Sequence, residues 1–197
     1  MGDGAEYYLE TKALHLRRLL GSNFQGELLD FGCGIGLLSR QLVRWLPGAR
    51  LNGFDVSTES VSRVDLPGRF FSDPSQLGHG YPAIVISNVL HHVAPPERRE
   101  LMRDLGERLA PGGRLVLYEH NPFNPLTRLV VSRCPLDENA ILLPPNEACG
   151  YFSSLRVERL DFLLFFPKSL AWFRPLERYL AWLPLGAQYS VVGRREP

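Results

Sequence analysis

The chain has 197 residues, 45% of them hydrophobic and 22% charged, which suits one globular domain with a substantial core. A formal net charge of +1, with no long run of Lys or Arg, disfavours a sequence-independent grip on nucleic acid. No stretch reaches about 18 uninterrupted apolar residues, and residues 1–8 carry no apolar leader core, so no spanning helix is expected and a cytoplasmic location is.

Taken in chain order, short apolar strands alternate with amphipathic helices. Residues 7–20 place Leu9, Ala13, Leu16, Leu19 and Leu20 at helical spacing. A first strand is predicted over 27–31 and a helix over 36–46, with Leu38, Leu42, Val43 and Trp45 facing the core and Pro47-Gly48 ending it. A second strand follows over 50–54. Residues 57–82 leave room for a short helix and a short strand over 69–72. Residues 83–87 (Ala-Ile-Val-Ile-Ser) form an apolar run of the kind buried in parallel sheets. Pro95-Pro96 opens a helix carrying Leu101, Met102, Leu105 and Leu109. Residues 111–113 (Pro-Gly-Gly) read as a turn and 114–118 as a fifth strand. Beyond it the pattern changes to a Pro- and Asn-rich segment over 121–145 with one helix near 126–133. A long strand is predicted over 155–166, an aromatic insertion over 167–186, and a last strand over 188–194. The alternation predicts one α/β domain over 1–197, its parallel sheet covered on both faces.

The most informative string is Leu28-Leu29-Asp30-Phe31-Gly32-Cys33-Gly34-Ile35-Gly36. A strand runs into glycines and directly into a helix, a geometry that lets a ligand approach backbone N–H groups. A dinucleotide fingerprint needs G-x-G-x-x-G; here the spacing is G-x-G-x-G and position 37 is Leu. The acidic Asp30 before the loop suits a ligand with an ammonium group better than a pyrophosphate. The segment resembles motif I of the class I S-adenosylmethionine-dependent methyltransferases, an acidic residue followed by G-x-G-x-G. That resemblance implies a Rossmann-like, doubly wound, mostly parallel seven-stranded sheet with a C-terminal antiparallel strand, and S-adenosylmethionine as cofactor. It covers residues 6–120 well and is weaker thereafter.

The same resemblance assigns further positions. Asp55, at the end of the second strand, corresponds to the acid that accepts from both ribose hydroxyls; a helix N-cap is the alternative, since Ser57 and Thr58 follow. Asp73 corresponds to the acid facing the adenine amino group, with a turn beside Pro74 as the alternative. Gly32, Cys33, Gly34, Gly36, Val56, Asn88 and Val89 complete the expected cofactor surroundings. Cys33 is read as a small structural residue of the loop, not a nucleophile. Tyr7, Tyr8 and Lys12 either fold over the cofactor or form a solvated helix face. Residues 87–93 (Ser-Asn-Val-Leu-His-His-Val) resemble the end of the fourth strand in small-molecule members.

Methyl transfer to a hydroxyl gains from a base near neutrality, which makes His91 and His92 the first candidates and His120 the next, with Glu119 as orienting partner. Adjacent residues on a turn point different ways; His92 is preferred. Asp137, Glu138 and Asn139 are read as solvated or capping, and no metal is expected. The three cysteines, Cys33, Cys134 and Cys149, lack zinc spacing and read as free thiols. No Asp/Asn/Ser-Pro-Pro-aromatic string and no paired-glutamate hairpin is present, which sets aside enzymes acting on DNA bases and on protein arginine. The expected partner is a small-molecule or lipid-linked acceptor, not nucleic acid, met by residues 121–145 and 167–186. In the second insertion, Leu176, Tyr179, Leu180 and Leu183 share a helical face bounded by Pro175 and Pro184. That face packs on the sheet or forms a homodimer contact, or it meets a membrane surface. Two rivals remain. A non-catalytic methyltransferase-like subunit would not need the acidic series Asp30, Asp55 and Asp73. A nicotinamide oxidoreductase is disfavoured by Leu37.

Overall fold

A computed structural model describes residues 3–134 and 140–197. Asp137, Glu138 and Asn139, read above as solvated or capping, lie outside the described residues. The seven strands are β1 (Gly26–Phe31), β2 (Ala49–Phe54), β3 (Arg69–Phe71), β4 (Tyr81–Ser87), β5 (Leu109–His120), β6 (Arg156–Leu163) and β7 (Gln188–Arg194). They form one sheet in the order β3-β2-β1-β4-β5-β7-β6. The first five run parallel, and β7 lies antiparallel between β5 and β6.

Strand side chains alternate between faces, and both faces are covered. Leu28, Ala83, Val85, Val116 and Val192 point toward helices α1 (Asp3–Leu20) and α2 (Leu37–Trp45). Leu29, Ile84, Ile86, Leu115, Leu117 and Val191 point toward α4 (Pro95–Glu107) and α6 (Pro145–Gly150). Two short helices, α3 (Thr58–Ser62) and α5 (Pro125–Val131), follow β2 and β5. Strand order reverses between β1 and β4. In such sheets the crevice at the carboxyl ends of the two strands on either side of the reversal receives the ligand.

Four details depart from the sequence reading. On α2 the polar Ser39 and Gln41 are buried beside Leu38 and Leu42, while Val43 and Trp45, packed against the core as expected, are half-buried. The Pro111-Gly112-Gly113 turn lies inside β5: Gly112 takes a positive φ, and the pairing with β4 shifts register between Tyr81 and Ala83. Backbone bonds between Gly112 and Gly113 and Arg195 keep the bulge attached to the sheet. Strand β6 stops at Leu163 rather than 166 because the chain turns at Leu164, whose φ is +64°. The buried Glu177 carboxylate then accepts the N–H groups of Leu164, Phe165 and Phe166, which a ladder would otherwise use.

The fourth departure is the second insertion. Of the helix expected between Pro175 and Pro184 only one α-turn forms, α7 (Glu177–Leu180), and it is preceded by a 3-10 stretch, Lys168–Leu176. Leu176 and Tyr179 are exposed and Leu180 and Leu183 half-buried, so the stripe does not join the core. Among the described residues, no helix is long and apolar enough to cross a membrane.

Candidate active site

The glycine loop leaves β1 and is stitched to β2: the N–H groups of Gly32 and Cys33 both donate to the Phe54 carbonyl. Two of its glycines explain its shape. At Gly32, with φ +79°, a Cβ would stand 2.2 Å from Cγ2 of Val89, so the loop and the turn after β4 pack as closely as they do only without a side chain. At Gly34, φ is +53° and a Cβ would meet nothing within 4 Å, so the backbone there borders open space. Gly36 is the residue before α2, again left-handed. Cys33 is buried, and burial together with the nearby Asp30 and Asp55 carboxylates pushes its thiol up to about 12. A structural thiol is what this describes.

Asp55 closes the loop from the β2 side. Its carboxylate accepts from the Gly34 N–H at 2.8 Å and the Ser57 N–H at 2.9 Å. The helix cap itself is Ser57, whose hydroxyl accepts from Ser60 N. Both Asp55 oxygens keep further lone pairs. Val56 beside it is 84% exposed, an apolar side chain open to solvent. Asp73 is exposed and caps the 3-10 turn Pro74–Gln76 through Ser75 N, which holds its carboxyl below the usual range.

Asp30 lies deeper than a strand-end residue would. It is fully buried under the loop and accepts from the Ser39 hydroxyl of α2 at 2.6 Å. Burial raises its carboxyl to about 6. Opposite, Lys12 of α1 is buried rather than on a solvated face, and its ammonium donates to Ser87 Oγ at 2.8 Å and Asn88 Oδ1 at 3.2 Å. Burial lowers it to about 8, against the pull of Glu119 and Asp30. Asn88 adopts φ +56°, uncommon for a residue with a side chain, and holds it with its N–H on the Tyr118 carbonyl. Tyr7 of α1 is buried and donates to the Phe166 carbonyl; Tyr8 is exposed.

The histidines gather at the ends of β4 and β5. The 3-10 turn Leu90–His92 sends His91 inward, 1% exposed, and leaves His92 outside. Glu119 of β5 is wholly buried; one oxygen accepts from Leu90 N at 2.8 Å and the other pairs with His91 Nδ1 at 2.5 Å. The rings of His92 and His120 lie 4.2 Å and 5.3 Å from that of His91. Gln188, the first residue of β7, bridges His120 Nδ1 and Asn88 Oδ1 through its amide nitrogen at 3.3 Å and 3.4 Å. Nothing in the sequence singled out Gln188: it opens a strand, and only the antiparallel placement of β7 brings it beside Asn88. Ser39 was likewise invisible as a partner of Asp30.

The fold thus brings the glycine loop, Asp55, Asn88, Glu119 and all three expected histidines to one end of the sheet. A match to the methyltransferase domain family spans residues 5–160, and the chain belongs to that family, the class I S-adenosylmethionine-dependent methyltransferases. It is 28% identical over 185 residues to the mitochondrial ubiquinone biosynthesis O-methyltransferase of Schizosaccharomyces pombe, which covers 85% of this chain and 63% of that protein. A methyltransferase structure from Archaeoglobus fulgidus superposes with a TM-score of 0.71 at 14% identity, over 95% of this chain and 94% of that one. The magnesium protoporphyrin IX methyltransferase of Synechocystis, solved with bound S-adenosylmethionine, gives 0.63 at 17% identity, over 98% and 80%. The chain spans less than two thirds of the length of the curated relatives it matches, 63% in the longest case.

Proposed function

We propose that the chain transfers a methyl group from S-adenosylmethionine to a hydroxyl of a small apolar or lipid-linked acceptor, with a histidine as base. The observation that carries this reading is the histidine cluster, braced by the buried Glu119 and set at the same sheet end as the glycine loop. The residues present fit the cofactor: the backbone at Gly34 borders open space, and a buried carboxylate and a buried ammonium, Asp30 and Lys12, lie within electrostatic reach of each other at the same sheet end.

When bound, S-adenosylmethionine supplies a methyl group on a positively charged sulfur. Asp55 would accept from its ribose hydroxyls with the remaining lone pairs, Val56 would offer an apolar face to the purine, and Asp73 would hold the adenine amino group. Lys12 and Asp30 answer the opposite charges of the amino-acid end, with Asn88 and the backbone of Gly32, Cys33, Gly34 and Gly36 lining it and Val89 packed behind. Because the sulfonium already carries the charge, the protein's task is to position the acceptor and take its proton. His92, exposed at the turn, takes that proton. His91, its Nδ1 on Glu119, holds the neighbouring ring in place, and Gln188 does the same for His120. The name of the fission-yeast relative, an O-methyltransferase, supports a hydroxyl acceptor. The exposed aromatic wall over 167–186 supports an apolar one, met by a cytoplasmic chain at the inner face of a membrane.

Turnover with labelled donor and a phenolic acceptor panel tests this. His92→Ala should lower the rate by about 10²-fold while S-adenosylhomocysteine affinity is kept, with His91→Ala compared in parallel. Full activity of His92→Ala across pH 6 to 8 would remove it as the base.

A further inference from the structure

Between the C-terminal half of α1 and the second insertion lies an open groove of about 510 Å³, lined by Leu14, Arg17, Arg18, Arg174, Pro175 and Arg178. A second hollow shares Arg18 and Arg178 with it and adds Arg159. The charges around them are unbalanced. Arg174 pairs with Glu10 and Arg159 with Asp161. Glu177, the other carboxylate on the second hollow, is occupied by backbone N–H groups. Arg17, Arg18 and Arg178 have no carboxylate partner among the described residues: Arg17 lies over Trp45, Arg18 donates to the Leu14 carbonyl, and Arg178 lies against the Tyr179 ring. Three arginines without a carboxylate partner among the described residues thus line one groove, a composition that suits a phosphate.

The insertion that lends Arg174, Pro175 and Arg178 to the groove also holds aromatic rings in solvent. Trp172 is 72% and Trp182 74% exposed, with Tyr179, Leu176 and Leu185 also exposed. The backbone is not free to fold them away. Glu177 pins the entry to the insertion, and Asn121 and Asn124 donate to the carbonyls of Pro184, Leu185 and Gly186 at its exit. Basic groove and aromatic surface meet where the Arg178 guanidinium lies 4.5 Å from the Tyr179 ring centre.

We propose that this face docks on an anionic phospholipid bilayer, the arginine groove taking a headgroup phosphate and Trp172 and Trp182 entering the interface. Indoles beside arginines match the headgroup boundary, where one end of the ring is wet and the other apolar. A second copy of the chain is the poorer occupant, because a two-fold contact would set three unpaired arginines against themselves. The proposal rests on the reading of a lipid-linked acceptor for its purpose, not for its geometry.

Co-sedimentation of the full chain with vesicles, at low salt and without cofactor, tests it. Phosphatidylcholine vesicles containing roughly one third phosphatidylglycerol should pellet the protein, with a blue shift of tryptophan emission, and pure phosphatidylcholine should not. Arg18→Gln with Arg178→Gln, both exposed, should weaken partitioning about 30-fold at unchanged S-adenosylhomocysteine affinity. Trp172→Ser with Trp182→Ser should abolish the blue shift. Equal recovery in the supernatant with and without anionic vesicles overturns the proposal, as does partitioning indifferent to the arginine pair. Stabilisation by inorganic phosphate without vesicle binding also overturns it, assigning the groove to a soluble phosphate. Loss of methyl transfer alone bears on the proposed function and leaves the surface standing.

Discussion

Glu119 is where stability and chemistry meet, and Glu119→Gln separates them. The wild-type carboxylate has no solvent contact and two partners, Leu90 N–H and His91 Nδ1. Gln keeps the size and one carbonyl oxygen. That oxygen goes to Leu90 N–H, because no other acceptor offers itself to that donor at the turn. The amide NH₂ then faces His91 Nδ1, which must become an acceptor, so the ring proton moves to Nε2. Both charge-assisted hydrogen bonds become neutral ones, offset in part by removal of a buried charge, a net loss of about 1–2 kcal/mol. For a domain of this size each kcal/mol shifts Tm by about 2–4 °C, so the variant should melt roughly 2–8 °C lower. Glu119→Ala leaves both donors buried without an acceptor and should cost about 3–5 kcal/mol. Turnover of the Gln variant should fall about 10²-fold if the orientation and tautomer of His91 govern the His92 ring packed against it, with cofactor affinity retained. Thermal unfolding, calorimetry with S-adenosylhomocysteine and the labelled-donor assay give the three readouts. A Glu119→Gln protein that melts within 1 °C of wild type and turns over at its rate would refute the bracing role.

The other predictions concern the cofactor side. Asp55→Ala should weaken S-adenosylhomocysteine binding by about 1–3 kcal/mol, since ribose hydroxyls would lose a charged acceptor; unchanged affinity in calorimetry would remove Asp55 from the cofactor. Asp30 has a folded value raised to about 6 from an unfolded 3.8, so its contribution is fully present below pH 4 and lost as pH rises through 6. Asp30→Asn should therefore be more stable than wild type by on the order of 1–2 kcal/mol at pH 7, where the buried charge is removed and Lys12 loses a counter-charge, with the gap closing toward pH 4. Its cofactor affinity should drop about tenfold or more. Urea titrations at the two pH values that show the same gap would contradict the assignment.

The family and the loop were legible in the sequence because they are written in contiguous residues. A strand, three glycines and a helix occupy 28–46 without interruption, and apolar runs at 83–87 and 114–118 cannot be exposed on a covered sheet. The acidic residues at 30, 55 and 73 follow the strands in order, so their approach to one end of the sheet needs only parallel pairing. What lay beyond reach depends on which way a side chain turns and which strands end up adjacent. A turn of three residues decides that His91 goes inward and His92 outward, and Glu119, 28 residues further on, fixes that choice by accepting from Leu90 N and His91. Lys12 reads equally as a residue folded over the cofactor or as a helix-surface lysine until α1 packs over Ser87 and Asn88. Gln188 reads as the first residue of a strand until β7 inserts antiparallel between β5 and β6. The second insertion shows the limit most clearly. Its apolar spacing describes a buried helical stripe, yet Glu177 holds the preceding turn, the Asn121 and Asn124 amides hold its exit, and the remaining length closes as 3-10 turns with the aromatic rings outside. Local periodicity records what a segment can bury; whether anything lies opposite to bury it against is decided only by the tertiary structure.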